Sequence, residues 1–184
     1  MAPDASVLLD LTRRYLEPHR RYHALGHIAD LLCLGRDLEL TDEQVMAIWF
    51  HDAIYDSHST TNEEASAKLA ETGLARCGWA APRIARVARM VRDTKAHEPS
   101  SPESELVIDL DLSPLAAEWE RFVANTAAIR FEYSWVSEPE FTAGRRAFFR
   151  ALLERPRIFR SEFGKRLEAQ ARANLERALR GGKP

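Results

Sequence analysis

The chain has 184 residues, of which 45% are hydrophobic and 29% are charged. This composition supports a folded core and excludes a disordered chain or a disulfide-stapled miniprotein. Its 26 basic and 28 acidic residues give a formal net charge of -2, which argues against a dedicated nucleic-acid-binding protein. The sequence contains no run of about 20 apolar residues and no basic signal-like segment, so we expect no membrane association and a cytoplasmic location.

Hydrophobic residues recur with helical periodicity along nearly the whole chain, beginning with Leu8, Leu11 and Tyr15, and strand-like alternation is absent. A capping box at Thr41–Gln44 predicts a helix from residue 42 to about residue 55. With no internal repeat and no linker, we predict one all-α domain over residues 1–184. The other predicted helices include Ile28–Gly35 and cover about 62–78, 82–95, 104–112, 114–134, 138–154 and 161–180.

The histidines carry the first functional signal, because imidazole is the commonest ligand of transition metals in proteins. His23 and His27 are four residues apart, which on a helix places both rings on one face, with Asp30 beside them. One predicted helix therefore offers two imidazoles and a carboxylate.

Two further apolar segments carry side chains of the metal-binding type. His51 and Asp52 lie inside the predicted helix 42–55, in hydrophobic surroundings that demand a compensating partner. Asp109 and Asp111 lie in an equally apolar run. Histidines and aspartates from three separate helices predict a site for one or two divalent ions, which could be manganese, cobalt, nickel, magnesium, zinc or iron.

The order His, His-Asp, Asp on successive helices resembles the HD-domain metal-dependent phosphohydrolases. The resemblance implies an HD-type, phosphodiesterase-like helical bundle in which His27, His51 and Asp52 bind the metal together with a later aspartate. A more specific resemblance, over nearly the whole chain, is to a small bacterial group of HD-superfamily proteins that are predicted phosphohydrolases. The segments that carry it are Tyr22–Ile28, Trp49–Asp56, Asn62–Ala67, Thr94–His97, Asp109–Leu112 and Ile129–Tyr133.

Residues 22–30 are also similar to the Tyr-His-Asn-x-x-His-Ala-x-Asp motif of cyclic-nucleotide phosphodiesterases. In that motif the first histidine is the general acid and the second is a metal ligand. The similarity implies that His23 donates a proton and that His27 binds the metal. Ala24 stands where those enzymes have asparagine.

Only one of Asp109 and Asp111 can face the metal if both lie on a regular helix, because a spacing of two residues turns them about 200° apart. The segment Asp111-Leu112-Ser113 is similar to the Asp-Leu-Ser sequence at the last phosphodiesterase ligand, which makes Asp111 the preferred ligand. Asp109 is the alternative, either as a ligand or as a carboxylate that orients a ligand histidine.

These roles predict hydrolysis of a small phosphoester, with a nucleotide as the favoured substrate. The metal would lower the pKa of bound water and polarise a phosphoryl oxygen. Asp52 is expected to take part in catalysis by bridging a second ion, and His23 to protonate the leaving group.

Several polar residues are predicted to contact the substrate. Arg130 offers a bidentate fork for phosphate, and Lys95 and Arg145 are further cations. His97 could contact phosphate or bind a second metal, and Glu64 could reach such a metal through water.

Two other functions are compatible with the sequence. HD-type di-iron oxygenases use a similar ligand pattern with extra histidines, a role for which His58 and His97 are available. A catalytically silent metal- or nucleotide-binding module is the other, although such a site would not need His23. The sequence leaves open the exact substrate, the metal and the oligomeric state, including a homodimer.

Overall fold

The computed structural model describes residues 5–181, and this part of the chain contains no β-strand. The predicted all-α class is confirmed. None of the helices among these residues combines the length and hydrophobicity that crossing a membrane requires. The helices are α1 (Ala5–Tyr15), α2 (Leu25–Gly35), α3 (Asp42–Phe50), α4 (Asn62–Arg76), α5 (Ala81–Asp93), α6 (Pro102–Leu112), α7 (Trp119–Glu132), α8 (Glu138–Glu154), α9 (Glu162–Lys165) and α10 (Glu168–Leu179), with a 3₁₀ turn over Ser113–Ala116.

Helix α3 is part of a first hydrophobic core and packs against α2, α4, α5 and α6. It begins where the capping box predicts. The Gln44 backbone N–H donates to Thr41 Oγ1, and the Thr41 backbone N–H donates to the side-chain oxygen Oε1 of Gln44. Met46, Ile48 and Phe50 are almost completely buried. A helix that is apolar on several faces needs partners on several sides, which its neighbours provide.

Helix α6 joins this core to a second one. Val107 and Leu110 belong to the first core, whereas Ile108 and Leu112 belong to the second, which also contains residues of α7, α8 and α10. Because α6 is enclosed on both sides, the carboxylates that it carries lie in the interior rather than on a solvated face.

Helix α3 is shorter than predicted, so His51 and Asp52 lie in the turn that follows it. The His51 ring donates through Nδ1 to the carbonyl oxygen of Ile48 at 2.8 Å. The Arg20 guanidinium donates to the carbonyl oxygens of Asp52 and Ala53 at 2.6 Å and 3.1 Å. These side chains occupy carbonyl oxygens that would accept backbone N–H groups if the helix continued. This explains why α3 ends at Phe50.

His23 does not lie on a helix, contrary to the prediction, because α2 begins at Leu25 after an extended Ala24 (φ -113°, ψ 176°). The Glu132 Oε1 atom accepts hydrogen bonds from the backbone N–H groups of residues 21–23, at 2.7 Å, 2.7 Å and 3.0 Å. Three consecutive N–H groups that converge on one oxygen are incompatible with a helix at this point.

Two of the predicted helices of the C-terminal half are interrupted. The expected helix 114–134 is a 3₁₀ turn followed by α7, and the expected helix 161–180 is divided into α9 and α10. Asn174 donates to the carbonyl oxygens of Leu115 and Ala117 at 2.9 Å and 2.8 Å. These bonds stabilise the non-helical connection after the 3₁₀ turn.

The Asp109 side chain makes hydrogen bonds that stabilise the packing of the C-terminal half. Its carboxylate accepts hydrogen bonds from the N–H groups of Arg160 and Ser161, at distances of 3.0 Å and 2.6 Å, and from Ser161 Oγ at 2.6 Å. A Cβ atom at Gly164 would overlap Asp109 Oδ2, so the backbone of α9 lies directly against the carboxylate. Asp109 is fully buried and hydrogen-bonded to this segment, and its carboxylate is not part of the His27, His51 and Asp111 group.

We expect Asp109→Asn to lower the free energy of unfolding by about 2 kcal/mol. The amide nitrogen of asparagine would face N–H and O–H donors, from which the carboxylate now accepts hydrogen bonds. Urea unfolding measures the loss. The metal content of the folded variant should equal that of the wild type. Unchanged stability together with lost metal would instead make Asp109 a ligand.

Candidate metal centre

Three side chains from separate parts of the chain meet in the interior. His27 lies on α2, His51 directly follows α3, and Asp111 lies on α6. One ligand atom of each lies within 4.8 Å of the others. We call these three residues the ligand cluster.

The spacing within the ligand cluster suits a single metal ion. Asp111 Oδ1 lies 3.2 Å from His27 Nε2 and 3.5 Å from His51 Nε2. Ligand atoms about 2.1 Å from a common ion are roughly 3.0 Å apart in octahedral coordination and roughly 3.4 Å apart in tetrahedral coordination. The two observed distances match the edges of such a coordination shell.

The His51 ring nitrogen Nε2 is available as a metal ligand. Because Nδ1 donates to the Ile48 carbonyl oxygen, Nε2 carries the lone pair of the neutral ring. This Nε2 is buried without a hydrogen-bond partner, although Asp52 Oδ2 lies 3.0 Å away. A ring nitrogen that faces carboxylate oxygens in the interior needs either a proton or a metal cation between them.

The electrostatics of the ligand cluster also favour a cation. Burial lowers the pKa of His51, but the negative charges of Asp52 and Asp111 outweigh burial and hold that pKa well above its ordinary value. Burial raises the pKa of Asp111, whereas His51 and His27 lower it to well below its ordinary value. A divalent ion satisfies the same negative charge while leaving the imidazoles neutral.

Asp52 and His97 adjoin the ligand cluster. Asp52 Oδ2 contacts His51, and His97 Nε2 lies 3.5 Å from Asp111 Oδ2. The His97 backbone has a φ of 48°, which is costly for a residue other than glycine. Arg155 donates to the His97 carbonyl oxygen at 2.8 Å and so holds this conformation. Asp52 and His97 thus lie next to the ligand cluster without belonging to it.

His23 lies beside the ligand cluster and has different partners. Its Nδ1 is 2.6 Å from Glu132 Oε2, and its ring stacks on Tyr55 with 4.2 Å between ring centroids. Tyr55 donates its hydroxyl hydrogen to the same Glu132 oxygen at 2.9 Å. Since Nδ1–H donates to the carboxylate, Nε2 is the nitrogen left for a molecule in the adjoining cavity.

The charge on this pair follows from its surroundings. Burial lowers the pKa of His23, but Asp52 and Glu132 outweigh burial and raise it above its ordinary value. Burial raises the pKa of Glu132, whereas the hydrogen bond and charge of His23 and the N–H groups of residues 21–23 lower it to about 2. Glu132 is therefore ionised at neutral pH and stabilises a protonated His23.

One cavity of about 520 Å³ connects these groups, and its volume suits a small organic molecule. His23, Asp52, His97 and Asp111 line it. Asp111 of the ligand cluster, the two adjoining residues and the His23 imidazole thus face a common space.

Lys95 and His97, two of the predicted substrate contacts, line this cavity. Lys95 Nζ donates to the carbonyl oxygen of Thr60 at 2.6 Å, which holds the ammonium group at the cavity wall.

Arg130 and Glu64, the other two predicted substrate contacts, are not among the residues that line this cavity. Arg130 donates to Glu138 at 2.7 Å, and Glu64 accepts from Arg92 at 2.7 Å. Their expected roles are therefore replaced by structural ion pairs. Asp30, expected beside the histidines, is exposed and pairs with Arg121 at 2.8 Å.

Sequence reasoning missed the roles of Glu132 and Arg20. Arg20 is 3% exposed and donates to the carbonyl oxygens of His23, Asp52 and Ala53, so it ties the His23 segment to the turn after α3. The only sequence signal for Glu132 is an acid between two aromatic residues. Its contact with His23 spans 109 residues of chain, which local pattern cannot reveal.

Comparisons with protein-family models, with curated proteins and with solved structures found no match for this chain. The function of this chain is therefore inferred from the geometry of the site and from the sequence motifs.

We expect His51→Ala and Asp111→Asn each to weaken the binding of Mn²⁺ by more than about 100-fold, because each removes a ligand at the centre of the cluster. Titration calorimetry on the purified chain measures the affinity. His58→Ala is the matched control, because His58 is exposed and stacks on Trp135. Equal Mn²⁺ affinity in all four proteins would refute the proposed centre.

Proposed function

We propose that this chain is an HD-type, metal-dependent phosphohydrolase that cleaves a small phosphoester. The observation that carries the proposal is that Asp111 of the ligand cluster and the His23 imidazole line one cavity. A metal-binding cluster and a proton donor facing one substrate space are the parts that metal-assisted hydrolysis needs.

A bound divalent ion would supply Lewis acidity and a water nucleophile of lowered pKa at the ligand cluster. His23 holds a proton on Nε2 and transfers it to the leaving-group oxygen as the ester bond breaks. Glu132 accepts the hydrogen bond from Nδ1–H and stabilises the imidazolium before transfer. Tyr55 stacks on the ring and limits its rotation.

The cavity favours a nucleotide-sized substrate over a polymer. A volume of about 520 Å³ is in the usual range for small-molecule sites. Lys95 in its wall adds a positive charge that attracts phosphate. The formal net charge of -2 offers no general attraction for nucleic acid.

His97 favours a second candidate, a di-iron oxygenase. Its Nε2 lies 3.5 Å from Asp111 Oδ2, so His97 and Asp52 could complete a second iron site. The hydrolase is the first proposal, because the hydrogen bond from His23 Nδ1–H to Glu132 prepares His23 for proton donation. The dependence of turnover on the metal separates the two functions.

The proposal predicts phosphate release from nucleotides or from a generic phosphoester after the chain is stripped and reloaded with Mn²⁺, Co²⁺, Ni²⁺, Zn²⁺, Mg²⁺ or Fe²⁺. His23→Gln should bind the metal normally and lose on the order of 10²- to 10⁴-fold in turnover, because only proton donation is removed. Full turnover in His23→Gln would exclude His23 as the acid. Tight iron binding with oxygen consumption and no phosphate release would favour the oxygenase.

We expect Glu132→Gln to lower kcat by about 10²-fold or more, with little change in KM, because an amide nitrogen facing Nδ1 would disfavour the Nδ1–H form of His23. Steady-state kinetics on the metal-loaded protein measures the effect. Glu138→Gln is the control, because Glu138 is exposed and contacts Arg130 instead. Equal losses in kcat for the two variants would contradict a positioning role for Glu132.

A further inference from the structure

Arg145 on α8 lines the cavity and has no partner for its charge. Its Nε is buried without a hydrogen-bond partner, and the guanidinium makes no ion pair with the carboxylates of residues 5–181. A guanidinium cannot shed its proton to escape this cost. An unpaired cation in a cavity wall is therefore a binding element for an anion.

Two other arginines contrast with Arg145. Arg20 donates to three carbonyl oxygens. Arg83 is held by Asp42 and Glu43. Both guanidinium groups have oxygen acceptors, whereas the buried Nε of Arg145 has none.

Aromatic rings fix the direction of the Arg145 side chain. Its guanidinium carbon lies 4.7 Å from the ring centroid of Phe149 and 5.5 Å from that of Phe148. Cation–π contacts of this kind compensate part of the desolvation but leave the N–H donors free. The rings therefore fix the orientation of the Arg145 guanidinium without using its N–H donors.

Arg145 shares its cavity with a member of the ligand cluster. Arg145 and Asp111 both line it, as does Tyr22. The Tyr22 ring is 5.1 Å from the His27 ring. The guanidinium and the Asp111 carboxylate therefore face one space.

Besides Tyr22 and Tyr55, which pack on the His23 ring, three aromatic side chains line the same cavity: Tyr133, Phe141 and Phe148. We call them the aromatic wall. Gly144 also lines the cavity, and no atom lies within 4 Å of the place where a Cβ would stand. Flat apolar surface next to open space suits a planar ring.

Resting on the proposed phosphohydrolase function, we infer that Arg145 binds a phosphate group of the substrate and that the aromatic wall holds a flat aromatic group attached to it. The substrate class is thus an aromatic phosphoester, such as a nucleotide. A guanidinium binds two phosphate oxygens in parallel, which fixes the orientation of the ester as well as its position.

Methylphosphonate and phenylphosphonate test this inference, because neither has a P–O ester bond to hydrolyse. Titration calorimetry on the metal-loaded full chain should show tighter binding of phenylphosphonate. Arg145→Met should weaken the binding of both by about 10- to 100-fold, and Arg145→Lys should weaken it less. Arg150→Met on the exposed side of α8 is the matched control and should bind as the wild type does.

Thermal unfolding and metal content show whether each variant is folded and loaded; if Arg145→Met does not fold, Arg145→Lys carries the test. Wild-type affinity in a folded Arg145 variant, or no binding of either probe by the wild type, would overturn the inference. Equal affinity for the two probes would overturn the role of the aromatic wall. Because the assay measures binding, a chain that binds both probes as expected but releases no phosphate would refute only the hydrolase.

Discussion

The Glu132 carboxylate fixes the conformation of the segment that carries His23. One oxygen accepts the N–H groups of residues 21–23, and the other accepts from His23 Nδ1 and the Tyr55 hydroxyl. The same group therefore ends the helical path before α2, orients the imidazole and sets its charge. Because Glu132 is 6% exposed, these bonds form in a weakly screened environment, where each is stronger than at the surface.

Asp109 and Asp111 of helix α6 are two residues apart and have different structural roles. Asp111 faces the histidines of the ligand cluster, and Asp109 faces the backbone before α9. A helix turns about 200° over two residues, so the acids must point to opposite sides. One side of α6 completes the candidate centre while the other attaches the second core, which couples the position of the Asp111 carboxylate to the packing of the C-terminal helices.

Sequence periodicity predicted the helical class, and the capping box placed the start of α3 correctly. The pattern also brought His27, His51 and Asp111 together as candidates. It failed where side chains take over backbone hydrogen bonds, as Arg20 does after α3. Glu132 could not be assigned, because its partner His23 is distant in the chain. Arg145 was one of several candidate cations, and only the missing partner of its buried Nε distinguishes it in the structure. Arg130 shows the converse, since an arginine in an apolar segment resembles a phosphate contact until its structural partner is seen.

The central claim is that His27, His51 and Asp111 hold a divalent ion. Anomalous diffraction from crystals of the Mn²⁺-loaded chain, collected at the manganese edge, tests it most directly. The account predicts a peak about 2.0 to 2.3 Å from Nε2 of both histidines and from an Asp111 carboxylate oxygen. A loaded crystal with its peak elsewhere, and with the ligand cluster closed by hydrogen bonds among its own side chains, would contradict it.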